Sequence, residues 1–339
     1  MTVPFTAELV VEAYLSGVRI DSFLTRHFRN YTPFRMQRIV RAGQVRVNGT
    51  IVEGSCRVFR GQQVRVRLVE PPDKLLDPEP LPLEVIYEDP WLVVINKPAG
   101  WVTHPVGEFQ TGTLCNALQF HLDRQTELRG LLRPGIVHRL DRLSSGVMVT
   151  TKDHLAHRRL SKAFERRLIA KTYLALVEGD LRASTGTIDR PIGQAPNGGI
   201  LMSAEPNATN KKQAGTRFDV LARYAQATLL RATPLTGRIH QLRVHFAAIG
   251  HPIVGDDYYA AFGRIRESPR RHAGGAKRHA LHAQQLTFAH PITKEPLELT
   301  APPPKDFRQL LDCAGPRVET TATLGRTPTG AAFATRTAK

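Results

Sequence analysis

The spacing of apolar and polar positions changes character several times along the chain, and each change predicts an element. In VRIDSFLTRHF the residues Ile20, Phe23, Leu24 and Phe28 recur at helical intervals. Thr32-Pro33 follows as an N-cap with proline at the first position of a second helix, which Gly43 can end. Within that helix Met36, Ile39 and Val40 point one way, while Arg35, Arg38 and Arg41 share the opposite face. QVRVNGTIV then alternates around Asn48-Gly49, the dipeptide of a tight hairpin, and GQQVRVRLV adds another alternating strand. Two helices and a hairpin are expected over residues 18–70.

The stretch PPDKLLDPEPLP, residues 71–82, has the composition of an extended linker. Beyond it LEVIYED, WLVVINKP, IVHRL and GVMVTTK read as strands, TLCNALQFHL as a helix and DHLAHRRLSKAFERR as a basic helix. KTYLALVEG, TRFDVLARY and ATLLRATP continue the strands, GRIHQLRVHFAAIG reads as a short helix, and HALHAQQLTFAHP and PLELTAP close the unit. Helices scattered among many strands, without regular βαβ alternation, predict an α+β body over residues 83–305 on a mixed, largely antiparallel sheet. Residues 262–279, FGRIRESPRRHAGGAKRH, form an Arg/Gly-rich insert expected to be a loop that contacts RNA or is only solvated. Residues 314–339, rich in Thr, Ala and Gly, read as a disordered tail.

Charge then narrows the partner. The 339 residues carry 47 Lys and Arg against 30 Asp and Glu, a formal charge of +17, of the sign that attracts phosphate. Solubility alone is better served by added acids, so a polyanion is the leading expectation. Cys56, Cys115 and Cys313 stand far apart with no C-x-x-C pair, which predicts neither a disulfide framework nor a cysteine zinc site and suits a reducing compartment. No apolar run approaches the roughly 18 residues of a membrane span, and Glu8 and Glu12 interrupt the N-terminus where a signal or transit peptide excludes acids. A cytoplasmic protein is expected, an organelle matrix being the other compartment these features allow.

Candidate chemistry centres on GIVHRLDRLSSGVM, where Asp141 stands between Arg139 and Arg142 on a loop joining two apolar strands. Nearby guanidinium charge would keep this carboxylate ionised, and an ionised carboxylate can act as a nucleophile. On local sequence alone, a structural ion pair with Arg139 or Arg142 is the commoner arrangement. In TGRIHQLRVHFAAIGHPIVGDDYY, residues 236–259, Arg238, Gln241 and His245 fall near one helical face, with Arg243 three residues after His240. These are either convergent donors or a basic surface helix. His154 and His157 could share a helix face, yet no H-E-x-x-H accompanies them, and no metal is expected. Nucleophile-elbow, phosphate-cradling and dinucleotide-binding glycine motifs are absent as well. What remains is one carboxylate acting on a polyanionic substrate.

Five ordered motifs resemble the RluA-type pseudouridine synthases: YEDPWLVVINKPAGWVTHP, GIVHRLDRLSSGVMVTTK, KTYLALVEG, TGRIHQLRVHFAAIGHPIVGDDYY and HALHAQQLTFAHP. Residues 18–70 separately resemble the RNA-binding domain first known from a small-subunit ribosomal protein, in FLTRHF, MQRIVRAGQVRVNG and GQQVRV. Departures are small: Ser144 where the family usually has Thr, Ile239 where Thr is common, and Trp101 beside NKPAG. The resemblance implies a monomeric enzyme, without cofactor or metal, that isomerises uridines in RNA to pseudouridine. Its expected RNA is that of the large ribosomal subunit, transfer RNA being the alternative, and no DNA or membrane partner is expected. It implies Asp141 as nucleophile, Tyr173 stacked on the flipped uracil near the proton lost from carbon 5, and Arg243 as the partner of Asp141. Arg139 resembles a wedge filling the vacated stack; from spacing alone it could equally be a structural partner of Asp141. Arg35, Arg38, Arg41 and Arg238 are the expected RNA contacts. A non-catalytic RNA-binding or ribosome-assembly protein and a metal-dependent RNA hydrolase are the other classes considered, and the presence of Asp141, Tyr173 and Arg243 favours the synthase.

Overall fold

The computed structural model describes residues 5–28, 31–68, 76–107, 109–125, 132–196, 199, 201–266 and 278–318. Its N-terminal unit pairs β1 (Phe5–Val10), β2 (Val45–Val47), β3 (Thr50–Ile51) and β4 (Gln63–Leu68) in the order β1-β4-β2-β3. Two helices cover it, α1 (Ile20–His27) and α2 (Pro33–Arg41). Alternation along β4 buries Val64, Val66 and Leu68 against Phe23, Leu24 and Met36 and leaves Arg65 and Arg67 outside. The sheet thus begins ahead of residue 18. TAELV alternates weakly, but β1 is held by backbone pairing of all six residues to β4 and by Glu8 bonding Arg65.

The larger body is built on one sheet. Its strands are β5 (Val85–Glu88), β6 (Leu92–Lys97), β7 (Gly135–Ile136), β8 (Ser145–Thr151), β9 (Ala170–Glu178), β10 (Thr185–Asp189), β11 (Gly215–Tyr224), β12 (Ala227–Pro234), β13 (Leu281–Ala289), β14 (Pro296–Thr300) and β15 (Arg317–Val318). The main order is β10-β11-β12-β9-β13-β8-β6-β5, with β7 on β8, β14 on β13 and β15 on β11. Among the described residues every pairing in this sheet is antiparallel except β8 with β13, giving the mixed, largely antiparallel α+β architecture expected.

Continuous apolar runs on the central strands reflect burial on both faces. Leu92, Val94, Val147 and Val149 pack against α4 (His154–Glu165), while Val93, Ile95 and Met148 pack against α3 (Leu114–Asp123). On the other half of the sheet, α5 (Gln241–Ala248) and α6 (Lys305–Cys313) cover β9 and β12 through Leu242, Phe246, Phe307 and Leu310.

Register places the chemistry. Gly146 lies opposite Ala283, Ala283 opposite Tyr173, and Tyr173 opposite Ala232, so one row crosses four strands. A bulge between Thr172 and Tyr173 sets this alignment, and two strand spacings bring Tyr173 within about 10 Å of the chain just after Asp141. Gly146 makes the row possible. Its φ is +119°, and a Cβ there would sit 2.1 Å from the carbonyl oxygen of Ala283.

Several expectations are corrected. Of IVHRL only Ile136 is in a strand, Gly135–Ile136, because the His138 Nε2 accepts the Val149 N–H and takes the place of a ladder bond. The body does not end at residue 305: Phe307 and Leu310, three apart on α6, enter its core, and Arg317–Val318 pairs with β11. Residues 319–339 lie outside the described residues, as do 267–277 of the expected insert; its last two residues, Arg278 and His279, are buried. Described linker residues bond to α3, with Asn116 donating to the Asp77 carbonyl. No described helix is long and apolar enough to cross a membrane.

Candidate active site

The chain between β7 and β8 carries Asp141 and is tied down by its backbone. The Asp141 carbonyl accepts the Ser144 N–H at 3.0 Å, closing a turn, and the Arg142 carbonyl accepts both the Gly100 N–H at 2.8 Å and Lys97 Nζ at 3.3 Å. Lys97, from NKP, is fully buried, and burial pulls its ammonium down to about 7. Ser144 bonds His279 at 2.9 Å, and Ser145 bonds His282 at 3.0 Å and accepts from Arg278 at 3.2 Å. Arg278 in turn pairs with Asp306 at the start of α6. One helix and three strands therefore hold one short loop.

The second wall comes from the turn after β12 and from α5. That helix is not a basic surface: all eight of its residues are buried, because Leu242 and Phe246 face one cluster while Val244 and Ala247 face another, and a helix apolar on more than one side seeks the interior. Gln241 lines the cleft but its amide is taken up within the protein, and His245 does not line it. Gln241 bonds Thr236 and Thr216, and His245 bonds Thr216 at 2.8 Å and the Arg190 carbonyl at 2.9 Å. Arg238 precedes the helix and bonds the Gln213 carbonyl.

Arg243 is the hub. Its Nε and Nη2 donate to the two oxygens of Asp256 at 2.6 and 2.9 Å, and its Nη1 donates to Asp141 Oδ2 at 3.2 Å. The guanidinium also lies 4.9 Å over the ring of Tyr259. Burial works against this charge, and Asp256, then Asp141, more than restore it, so Arg243 stays protonated. Neither Arg139 nor Arg142 pairs with Asp141: Arg139 is exposed, and Arg142 stands over the ring of Phe109.

Burial pushes the Asp141 carboxyl up, but His240, Arg243 and His279 outweigh it and hold the group below its usual value. His240 and His279 act this way only when protonated, and burial holds both below the usual histidine range. The standing cation at neutral pH is therefore Arg243. Tyr173 sits in the same cleft, where burial, reinforced by the charge of Asp141, holds its phenol protonated well above its ordinary range.

A cleft of about 520 Å³ brings together Asp141, Tyr173, Arg243, Arg139, Arg238 and Lys171. Arg35, Arg38 and Arg41 do not line it; they lie on α2 of the N-terminal unit, Arg38 and Arg41 exposed. Among the described residues no cluster of three or more His, Cys, Asp or Glu could hold a metal ion. Such a cleft offers one ionised carboxylate with a free oxygen, a protonated phenol and a basic rim, which suits attack on an electrophilic carbon of an anionic polymer.

Sequence reasoning passed over Asp256, Tyr259 and Lys171. Asp256 stands in a motif already singled out, but no spacing rule links a carboxylate to an arginine across 13 residues and a turn. Lys171 adjoins Tyr173 in KTY, and its half-buried ammonium is lowered by burial.

Comparison with known proteins agrees with this geometry. The family described as RNA pseudouridylate synthase matches residues 91–248. An uncharacterised RNA pseudouridine synthase, YlyB, of Bacillus subtilis (strain 168) is 37% identical over 294 residues, covering 87% of this chain and 93% of that protein. Ribosomal large subunit pseudouridine synthase D of Pasteurella multocida (strain Pm70) is 36% identical over 305 residues, covering 87% and 91%. Among solved structures, human RNA pseudouridylate synthase domain containing 4 superposes with a TM-score of 0.55 at 27% identity, over 68% of this chain and 92% of that one. With relatives this similar over nearly their whole length, the chain belongs to the RNA pseudouridylate synthases, a family of isomerases, and to their RluA type.

Proposed function

We propose that this protein converts uridines of large-subunit ribosomal RNA to pseudouridine, with Asp141 as the nucleophile. The carrying observation is the Asp141 carboxylate, held ionised by Arg243 in a cleft that also contains Tyr173. The names of relatives that modify the large ribosomal subunit favour ribosomal over transfer RNA. Attack by Asp141, at the ribose anomeric carbon or at carbon 6 of the ring, breaks the bond from N1 to the ribose. The base turns, carbon 5 bonds the ribose in place of N1, the bond to Asp141 breaks and returns the carboxylate, and the proton lost from carbon 5 is balanced by one gained at N1. Nothing is consumed, so the enzyme's work is exposure, orientation and one proton transfer.

The target must leave the stack at a cost of roughly a few kcal/mol. Arg139, exposed at the cleft, is suited to fill the gap it leaves, and Tyr173 to stack on the uracil. The N-terminal unit, with Arg35, Arg38 and Arg41, is proposed to hold structured RNA, and Arg238 to contact its backbone near the cleft. The enzyme acts on RNA and not DNA, as a monomer, in the cytoplasm.

Asp141→Asn tests the assignment. Pseudouridine in ribosomal RNA, mapped in cells lacking the gene and complemented with each form, should return with the native chain and not with the Asn variant, while purified Asn variant still binds RNA. Pseudouridine made by that variant would remove Asp141 as nucleophile.

A further inference from the structure

His240 is one of few non-glycine residues in the left-handed region, with φ of 54° immediately before α5. Such a conformation costs of order 1 kcal/mol or more and persists where surroundings dictate it. Here they aim the ring. His240 Nδ1 lies 2.7 Å from the Tyr259 hydroxyl, and the same oxygen accepts the Met202 N–H at 3.1 Å. Tyr259 is 2% exposed. With one lone pair given to Met202, its own O–H has His240 Nδ1 as its acceptor, because a buried hydroxyl proton without a partner is costly. Neutral His240 then carries its proton on Nε2. That nitrogen lies 4.0 Å from Asp141 Oδ2, the oxygen that also accepts from Arg243. Among the described contacts Asp141 Oδ1 accepts no hydrogen bond.

Building on the reading of Asp141 as nucleophile, we infer that His240 is its positioning residue. Tyr259 fixes the ring so that Nε2–H faces Oδ2, joins Arg243 there, and leaves Oδ1 as the oxygen that attacks. A closure of about 1 Å brings the pair into hydrogen-bond range, the kind of tightening that substrate binding produces.

Two substitutions separate this role from mere packing, since both keep a polar side chain and Asn tolerates the left-handed backbone well. His240→Gln puts an amide N–H where Nε2 stands; His240→Asn reaches only the Nδ1 position. On ribosomal RNA fragments, normalised to folded protein, His240→Gln should keep kcat within about threefold, while His240→Asn should lose about tenfold or more, the worth of one bond to a charged acceptor. RNA affinity should be unchanged in both. Equal kcat for the Asn variant and the native chain, or an equal loss in both variants, overturns the inference. Nitrogen NMR of the full chain labelled at histidine reads the tautomer without substrate: a proton on Nε2 is expected, and one on Nδ1 overturns the inference. Absence of pseudouridine with the native chain and its RNA counts against the proposed function, while the tautomer still decides the geometry on which His240 rests.

Discussion

Arg243 divides one guanidinium between two carboxylates: two nitrogens close a bidentate pair with Asp256 at 2.6 and 2.9 Å, and the third reaches Asp141 at 3.2 Å. The Asp256 side chain is 1% exposed and that of Arg243 6%, against 24% for Asp141. Asp256 is thus the anchor and Asp141 the working end. The Oδ1 of Asp256 also accepts the N–H groups of Tyr258 and Tyr259, which fixes that anchor to the turn after Gly255.

Asp256→Asn leaves the shape and removes the charge, so Arg243 loses its better partner inside the protein. Breaking such a buried pair costs about 3–5 kcal/mol, and freed from its anchor Arg243 swings toward Asp141 and misaligns it. Urea unfolding and single-turnover rates measure the two effects. A stability change below about 1 kcal/mol with an unaltered rate would contradict this division of labour.

Acid should destabilise the fold well before its carboxylates titrate. Burial holds His138 and His279 down to about 3 from the ordinary 6.5, so the folded chain stays neutral there while the unfolded chain takes up protons. The unfolded state binds more protons across that window, so the histidine contribution to stability is complete above pH 6.5 and falls as pH drops toward 3. His279, 2% exposed, should approach a slope of about 1.4 kcal/mol per pH unit, with less from the partly exposed His138. Asp141 and Asp256, held below 3.8, add their loss only under that value. Denaturation midpoints at pH 7 and pH 5 check the sign: equal midpoints would refute it.

Gly146→Ala places a methyl on the backbone of Ala283, at a φ that disfavours any side chain. The one parallel pairing of the sheet among the described residues must open, moving the Asp141 loop off the row that carries Tyr173. Loss of about 3 kcal/mol or more is expected, together with activity; a melting temperature like that of the native chain would count against it.

Replacing Arg35, Arg38 and Arg41 together by Gln should weaken RNA binding and flatten its dependence on salt, because fewer counterions are released. The rate at saturating RNA should hold, since none of the three lines the cleft. Binding titrations at several salt concentrations decide it, and an unchanged salt slope would place the RNA elsewhere.

Much of this was legible in the sequence because it is local. The Thr32 cap and Pro33 start α2, the two faces of PFRMQRIVR separate Met36 and Ile39 from Arg38 and Arg41, and Asn48-Gly49 turns β2 into β3. Asp141 stood out as a loop carboxylate between apolar strands. The same local view failed for α5, read as a possible basic surface, since Arg243 and His245 look solvated until a sheet and a buried acid are set against them.

The sequence by itself determined most of the elements, the α+β class, the basic character and the single candidate carboxylate, because intervals of two to four residues encode faces, caps and turns. The family resemblance named Arg243 as the partner of Asp141, 102 residues away, but only the tertiary structure showed the bond and that Arg139 and Arg142 do not pair with it. It alone showed that Tyr259 orients His240 and that Gly146, Ala283 and Tyr173 share a row. These depend on strand register and on which charges lose their water together, and such quantities arise when distant segments pack and are carried by no segment alone.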